Sequence, residues 1–334
     1  GSRRFQGGSL TPMLTDLAFL LMGFVLLAKG ADSLVEGGAT LATKLGINPW
    51  VVGLTVVAWG TSLPEVVVST LAALDDKPGV ALDNVLGSNV ANAGLVLGTV
   101  GLILPRALVG RLSIRESLPL LLSLAGLYFV LGDGEVTRVE GGVMLAVFVG
   151  YTLELILFRG RGQDSPAADV AAGETHASYP WLRVILGALA ILAGARLVLL
   201  GATGVAESLG LKDGVVGLLI LALGTSLPEL AAGVVSARKG HTEIGLGNIV
   251  GSNVFNTLAV VGVAAVAAPF GASATGQEAW AATVERSLAR DFPVNVIFSL
   301  VIVLAPTVFR GRAARLRAGL MLGGWLSYIL WINL

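Results

Sequence analysis

The sequence predicts an all-α polytopic membrane protein, and three observations carry that prediction. Of 334 residues, 54% are hydrophobic and 13% charged, and the mean hydropathy is +0.82, well outside the range of a soluble domain. The apolar residues form long continuous runs, unlike the short alternating segments of a membrane barrel. The chain also repeats itself at a shift of 164 residues. The 22 basic and 22 acidic residues cancel, leaving no field that would recruit nucleic acid. The absence of cysteine excludes disulfides, thiolate metal sites and cysteine nucleophiles. The two histidines, His176 and His241, lie outside the apolar runs. Zinc and copper chemistry are therefore disfavoured, and no cofactor is expected.

A spanning helix needs about 20 mostly apolar residues. Ten runs meet that measure, at 14–38, 51–74, 82–104, 117–132, 139–158, 182–207, 214–237, 244–268, 293–309 and 315–333. The first run follows Arg3 and Arg4 as a signal peptide would, but its tail GADSLVEGG is matched by GARLVLLGA at 194–202, so it reads as a mature helix. Connections after odd-numbered helices carry 13 Lys and Arg, against 7 on the side holding both termini. The termini are therefore expected outside, in the inner (plasma) membrane of a prokaryote. Residues 159–180 are polar and aperiodic and read as a cytoplasmic linker between a first five-helix half, 12–158, and a second, 181–334. The segment Gln277–Asp291 is amphipathic and is expected on the outer surface, as a helix or as an ordinary loop.

Between Leu45 and Gly98, 23 of 54 positions equal the residue 164 places later. GTSLPE at 60–65 recurs at 224–229, and GSNVAN at 87–92 recurs as GSNVFN at 251–256. Each half holds an odd number of crossings, so the second copy enters the membrane from the opposite side. Two inverted five-helix repeats with interrupted helices are the architecture of alternating-access carriers that bind at the midplane.

Glu65 and Glu229 occupy matching places near mid-depth of their runs, and neither run contains Lys or Arg. A charge there costs about 2.5 to 3.5 kcal/mol on insertion scales, so an ion is expected to neutralise it. Pro64 cannot donate to the carbonyl of Gly60, which predicts a kink or unwinding near Gly60 to Ser62. Freed carbonyls, with those of Ala58 and Ala222, would join the hydroxyls of Thr61, Ser62, Thr225 and Ser226. Asn84, Ser88 and Asn92 form one stripe at i, i+4 and i+8, repeated by Asn248, Ser252 and Asn256. One stripe alone fits interhelical hydrogen bonding as well as ligation; two inverted copies, each after a Pro-Glu break, favour a cation site. Asn84 and Asn248, nearer the helix ends, are expected to cap. Asp32 and Arg196 are expected as helix-end charges or gate contacts, and Asp83 as a solvated loop acid. An all-oxygen set with formal charge −2 suits one Ca2+ or two Na+.

With these motifs the chain strongly resembles the calcium/cation antiporter superfamily, in its prokaryotic sodium/calcium exchanger branch. The resemblance covers both halves, and the doubled GTSLPE and GSN motifs are highly specific for it. It implies ten helices in two inverted repeats, with helices 2, 3, 7 and 8 building the cation site and helices 1 and 6 sliding as a gate. Carried over, the central glutamates fall on Glu65 and Glu229. The site hydroxyls fall on Thr61, Ser62, Ser88, Thr225, Ser226 and Ser252, the carbonyl ligands on Ala58 and Ala222, and the first-repeat amide on Asn92. Many members have aspartate where this chain has Asn256, so the site lacks a third carboxylate.

The expected function is secondary antiport of Na+ against Ca2+ in the lipid bilayer, with a monomer sufficient and no enzymatic activity. The alternative is H+/Ca2+ or other H+/cation exchange on the same glutamates; the proton-coupled branch would favour a GNA-type glutamate motif. A channel is disfavoured by the closed inverted-repeat architecture. Hydrolysis by Ser62 or Ser226 is disfavoured because neither has a His or Lys base in its helix.

Overall fold

The structure, a computed structural model, describes residues 10–105, 114–159, 179–209, 224–271, 277–308 and 311–333. Among them every regular element is helical, apart from one isolated bridge between Val136 and Phe270. In chain order they are α1 (Leu10–Leu45), α2 (Pro49–Thr61), α3 (Leu63–Leu74), α4 (Pro78–Ile103), α5 (Ile114–Val130) and α6 (Arg138–Glu154). There follow α7 (Pro180–Ser208), α8 (Leu227–Arg238), α9 (Thr242–Ala267), α10 (Gln277–Arg286), α11 (Phe292–Val308) and α12 (Ala314–Asn333).

Each apolar run coincides with a helix over its described residues. Among the described residues six helices, and α2 with α3 as a seventh bent one, are long and apolar enough to cross a membrane. Residues 160–178 of the linker and the start of the seventh run, with Ala222, lie outside the described residues.

The expected break is found at Ser62, where α2 and α3 meet at 49°. It is one of several interruptions. Single π-turns occur at Gly53–Val57, Asn92–Val96 and Asn256–Val260, the last two beginning at matching asparagines. Such turns put one extra residue into the helix and are frequent at functional sites.

The helices α1 and α7 lie antiparallel along most of their lengths, drawn together by glycines every seven residues, at 23, 30 and 37 in one and 187, 194 and 201 in the other. A Cβ on Gly30 would fall 2.7 Å from the amide nitrogen of Ile191 and 2.8 Å from the carbonyl of Gly187. Backbones this close gain dispersion contacts that larger side chains would forbid, the main attraction between helices in lipid. The α4 and α9 helices are buried over most of their length at the centre of the bundle.

The segment Gln277–Asp291 departs from expectation. It is neither a surface-lying helix nor a loop: α10 runs through a π-turn at Ser287–Asp291 directly into α11. Its amphipathicity serves the bundle, because Trp280, Val284, Ser287 and Asp291 are the buried face.

Candidate functional site

The SLPE segment has the spacing of a helix capping box, in which a Ser side chain and a Glu three residues later would satisfy each other's backbone. A true box exists at Thr137 and Glu140, where both reciprocal bonds form. At the start of α3 and of α8, Ser62 and Ser226 make no side-chain cap bond. Prolines at the first turns remove a donor that a cap would otherwise have to satisfy. Glu65 and Glu229 thus stand in the first turn of a helix with their carboxylates released from local work, where the helix dipole favours negative charge.

The freed groups meet across the two motif copies. Ser62 Oγ donates to Glu229 Oε1 at 2.8 Å, and Glu65 lies within the electrostatic reach of Glu229. Both glutamates are fully buried. Neither carboxylate oxygen of Glu65, nor Oε2 of Glu229, has a hydrogen-bond partner among the described residues. No third acidic or histidine side chain among those residues joins them to form a metal-holding group of three. Burying two unpaired carboxylates is far more costly than a stable fold tolerates, unless a cation or protons neutralise them.

Hydroxyls and amides complete the cluster in two matching sets. Thr61 Oγ1 donates to Asn248 Oδ1 at 3.1 Å and lies 3.5 Å from Ser252 Oγ. Its counterpart Thr225 Oγ1 lies 3.1 Å from Ser88 Oγ and donates to Asn84 Oδ1 at 3.5 Å. Asn84 Nδ2 also donates to Ser69 Oγ at 2.9 Å and to the Glu65 carbonyl at 3.4 Å. Asn84 and Asn248 therefore do not cap their helices; they lie inside them and tie the two motif copies together. Asn92 and Asn256 are buried at the entrances of the matching π-turns, and their Oδ1 atoms lack partners among the described residues. The Ala58 carbonyl is the member least available as it stands, accepting the Ser62 N–H at 3.0 Å and lying 3.3 Å from the Thr61 hydroxyl, which can turn its one proton to it instead of to Asn248. Ser226 is buried at the head of α8, and Ala222 falls outside the described residues.

The two sets differ in access. Thr61, Asn248 and Ser252 are sealed, whereas Asn84, Ser88 and Thr225 line a cavity of about 560 Å³. Arg196 lines the same cavity from α7. Asp83 stands at its rim, not in a loop: it sits within α4 and takes both Arg286 contacts, at 2.6 and 2.8 Å. Beyond it, the buried Asp291 accepts from Arg290 at 2.7 Å and from the Tyr328 hydroxyl at 2.9 Å.

At the opposite end of the bundle a cluster of charges links the helices. Lys239, between α8 and α9, pairs with Asp32 at 2.5 Å and with Glu36, and Arg183 of α7 pairs with Glu36 at 2.5 Å. Burial opposes the charge of Lys239, but hydrogen bonds to Asp32 and Glu36 outweigh it and raise the ammonium above its ordinary value. Neighbouring His241 moves the other way, lowered by burial and by Lys239, which leaves Lys239 and Arg183 as the cations of this cluster. Asp32 is thus an end contact binding α1 to the α8–α9 turn.

Fold and site together define a helical membrane protein assembled around a buried, oxygen-rich cluster contributed by two copies of one motif. The pattern of the sodium/calcium exchanger protein family matches residues 15–157 and 179–333, and the chain belongs to that family. It is 40% identical to the putative antiporter CaxA of Alkalimonas amylolytica, over 80% of this chain and 86% of that protein. It is 32% identical to the inner membrane protein YrbG of Escherichia coli K12, over 96% and 98%. Its structure resembles that of the sodium/calcium exchanger from Methanococcus jannaschii with a TM-score of 0.73, at 28% identity and covering 95% of this chain and 98% of that one.

Proposed function

We propose that the chain is a secondary antiporter of a prokaryotic inner membrane that exchanges Na+ for Ca2+ by alternating access. Ten helices form two inverted repeats, 12–158 and 181–334, joined by a cytoplasmic linker at 159–180, with both termini outside. The ions take turns at a midplane site whose charged ligands are Glu65 and Glu229. Hydroxyls of Thr61, Ser62, Ser88, Thr225, Ser226 and Ser252, amides of Asn92 and Asn256, and backbone at Ala58 and Ala222 supply neutral oxygen.

The observation that carries this reading is the meeting of Ser62 with Glu229, beside which the buried carboxylates of Glu65 and Glu229, one from each motif copy, lie within each other's electrostatic reach with no ion pair to either among the described residues. A site of that charge resists crossing the membrane empty and crosses readily when neutralised, the condition for obligatory exchange. The cavity at Ser88 and Thr225 opens toward the end bearing Asp83 and Arg286, the outside in this topology, while the Lys239 cluster closes the inner end. The named antiport and exchange activities of the relatives agree with this reading.

The test is Ca2+ uptake by proteoliposomes containing the purified chain. Na+-loaded vesicles in Na+-free medium should accumulate Ca2+, and dissipating the Na+ gradient should stop uptake. Uptake that ignores Na+ and follows a pH gradient would replace Na+ by H+ as the coupling ion.

A further inference from the structure

Asn89 and Asn253 fall outside the expected ligand set, yet both are buried at the heart of the α4–α9 crossing. They stand three positions before Asn92 and Asn256 and correspond to each other across the shift of 164 residues. Exact twofold symmetry would give two equivalent bonds, from Asn92 to Asn253 and from Asn256 to Asn89. Only the first is formed, with Asn92 Nδ2 donating to Asn253 Oδ1 at 2.9 Å.

Beside the missing bond the two copies differ at one residue. Where the first copy has Ala93, the second has Thr257. Thr257 Oγ1 donates its proton to the Asn253 carbonyl at 2.8 Å and accepts from Asn89 Nδ2 at 3.0 Å. With its single proton committed, the hydroxyl can only accept from Asn89, so the Asn89 amide is held facing Thr257. With its nitrogen on Thr257, Asn89 leaves Oδ1 without a partner, and Asn256 has neither Nδ2 nor Oδ1 partnered, among the described residues.

On the reading of the site given above, we infer that Asn253 and Thr257 are positioning residues that hold the two ligand amides unequally. Asn253 anchors the nitrogen of Asn92 and so keeps its oxygen turned toward the cation. Thr257 diverts Asn89, leaving Asn256 free to turn its oxygen in only when an ion arrives. Asn92 is a preorganised ligand, and Asn256 one that must be ordered at each binding event, a cost that weakens affinity.

The experiment measures Na+-driven Ca2+ uptake by the full chain in proteoliposomes, separating the half-saturating Ca2+ concentration from the maximal rate. Asn253→Leu, similar in size without an acceptor, should raise half-saturation about tenfold, equivalent to about 1.4 kcal/mol, while the maximal rate is retained. Thr257→Ala, which gives the second copy the residue of the first, should free Asn89 to hold Asn256 and lower half-saturation about threefold. Thr257→Ser should behave as the parent. Parental half-saturation in both Asn253→Leu and Thr257→Ala, or weakened binding in Thr257→Ala, would overturn the inference. If Asn253→Leu does not fold, the Ala and Ser variants at 257 decide alone. Glu65→Gln separates the two levels: transport surviving in it defeats the site itself, whereas loss there beside parental behaviour at 253 and 257 defeats only the positioning roles.

Discussion

Ser62 of the first motif copy donates its hydroxyl to the carboxylate of Glu229 in the second, at 2.8 Å and out of contact with water. A capping serine would have satisfied its own helix; this one holds together two segments 167 residues apart in sequence. Ser62→Ala should leave a buried carboxylate without its hydroxyl partner, a loss of about 1.5 to 3 kcal/mol for a hydrogen bond to a charged group. Half-saturating Ca2+ in proteoliposome uptake should rise by about tenfold or more, and Ser62→Thr should recover most of the affinity.

Charge arithmetic at the site predicts the electrical character of transport. Two carboxylates are neutralised equally by one Ca2+ or by two Na+, and Asn256 adds no third negative charge. Both loaded forms are then neutral, the condition for least cost in hydrocarbon. Exchange should be electroneutral, so a clamped membrane potential of either sign should leave Ca2+ uptake rates unchanged. A steady current during exchange would show an ion bound beyond the two-carboxylate inventory.

The ion pairs of Lys239 with Asp32 and Glu36 bridge helices at the end of the bundle away from the cavity lined by Ser88 and Thr225, and we take them as the closed gate. For Thr61, sealed in this structure, to become reachable from that end, these pairs must part. The cysteine-free chain permits a direct test. A single Thr61→Cys should react slowly with a membrane-impermeant thiol reagent applied from the Lys239 side. Adding Lys239→Met should speed that reaction by about an order of magnitude at low salt, and less at high ionic strength.

Gly30 faces the α7 backbone with no room for a side chain. Gly30→Val should push α1 and α7 apart and cost about 1 to 3 kcal/mol, the usual range for overpacking. A lowered thermal midpoint of the detergent-solubilised protein would report it. Gly150→Val, at a position with open space around it, should leave the midpoint unchanged.

What could be read from the sequence followed from chain-local causes. Pro64 must break its helix, and the break lies at Ser62; a carboxylate in an apolar run must have a reason to be there, and Glu65 and Glu229 are both fully buried. What escaped depended on partners far away in sequence. Asn84 reads as a cap because its distance from a helix end is visible in the sequence, whereas Ser69 and Thr225 beside it are not. Asp83 is exposed as the sequence suggests, but its helix and its partner Arg286, 203 residues distant, are not visible from its neighbours. The amphipathic stretch 277–291 reads as a surface helix or as an ordinary loop because a pattern of apolar faces does not say whether water or protein lies opposite. The π-turns have no residue requirement of their own. Asn89 and Asn253 did carry a signal, since both lie inside the repeated GSN motif, but their spacing puts them off the Asn-Ser-Asn stripe.

The central claim is that Ca2+ and Na+ occupy one buried site held by Glu65 and Glu229, and equilibrium binding to the purified chain tests it most directly. One Ca2+ should bind per chain, Na+ should displace it with a dependence on the square of its concentration, and Glu65→Gln or Glu229→Gln should each abolish binding in a folded protein. Calcium bound indifferently to Na+, or retained in both variants, would contradict the account.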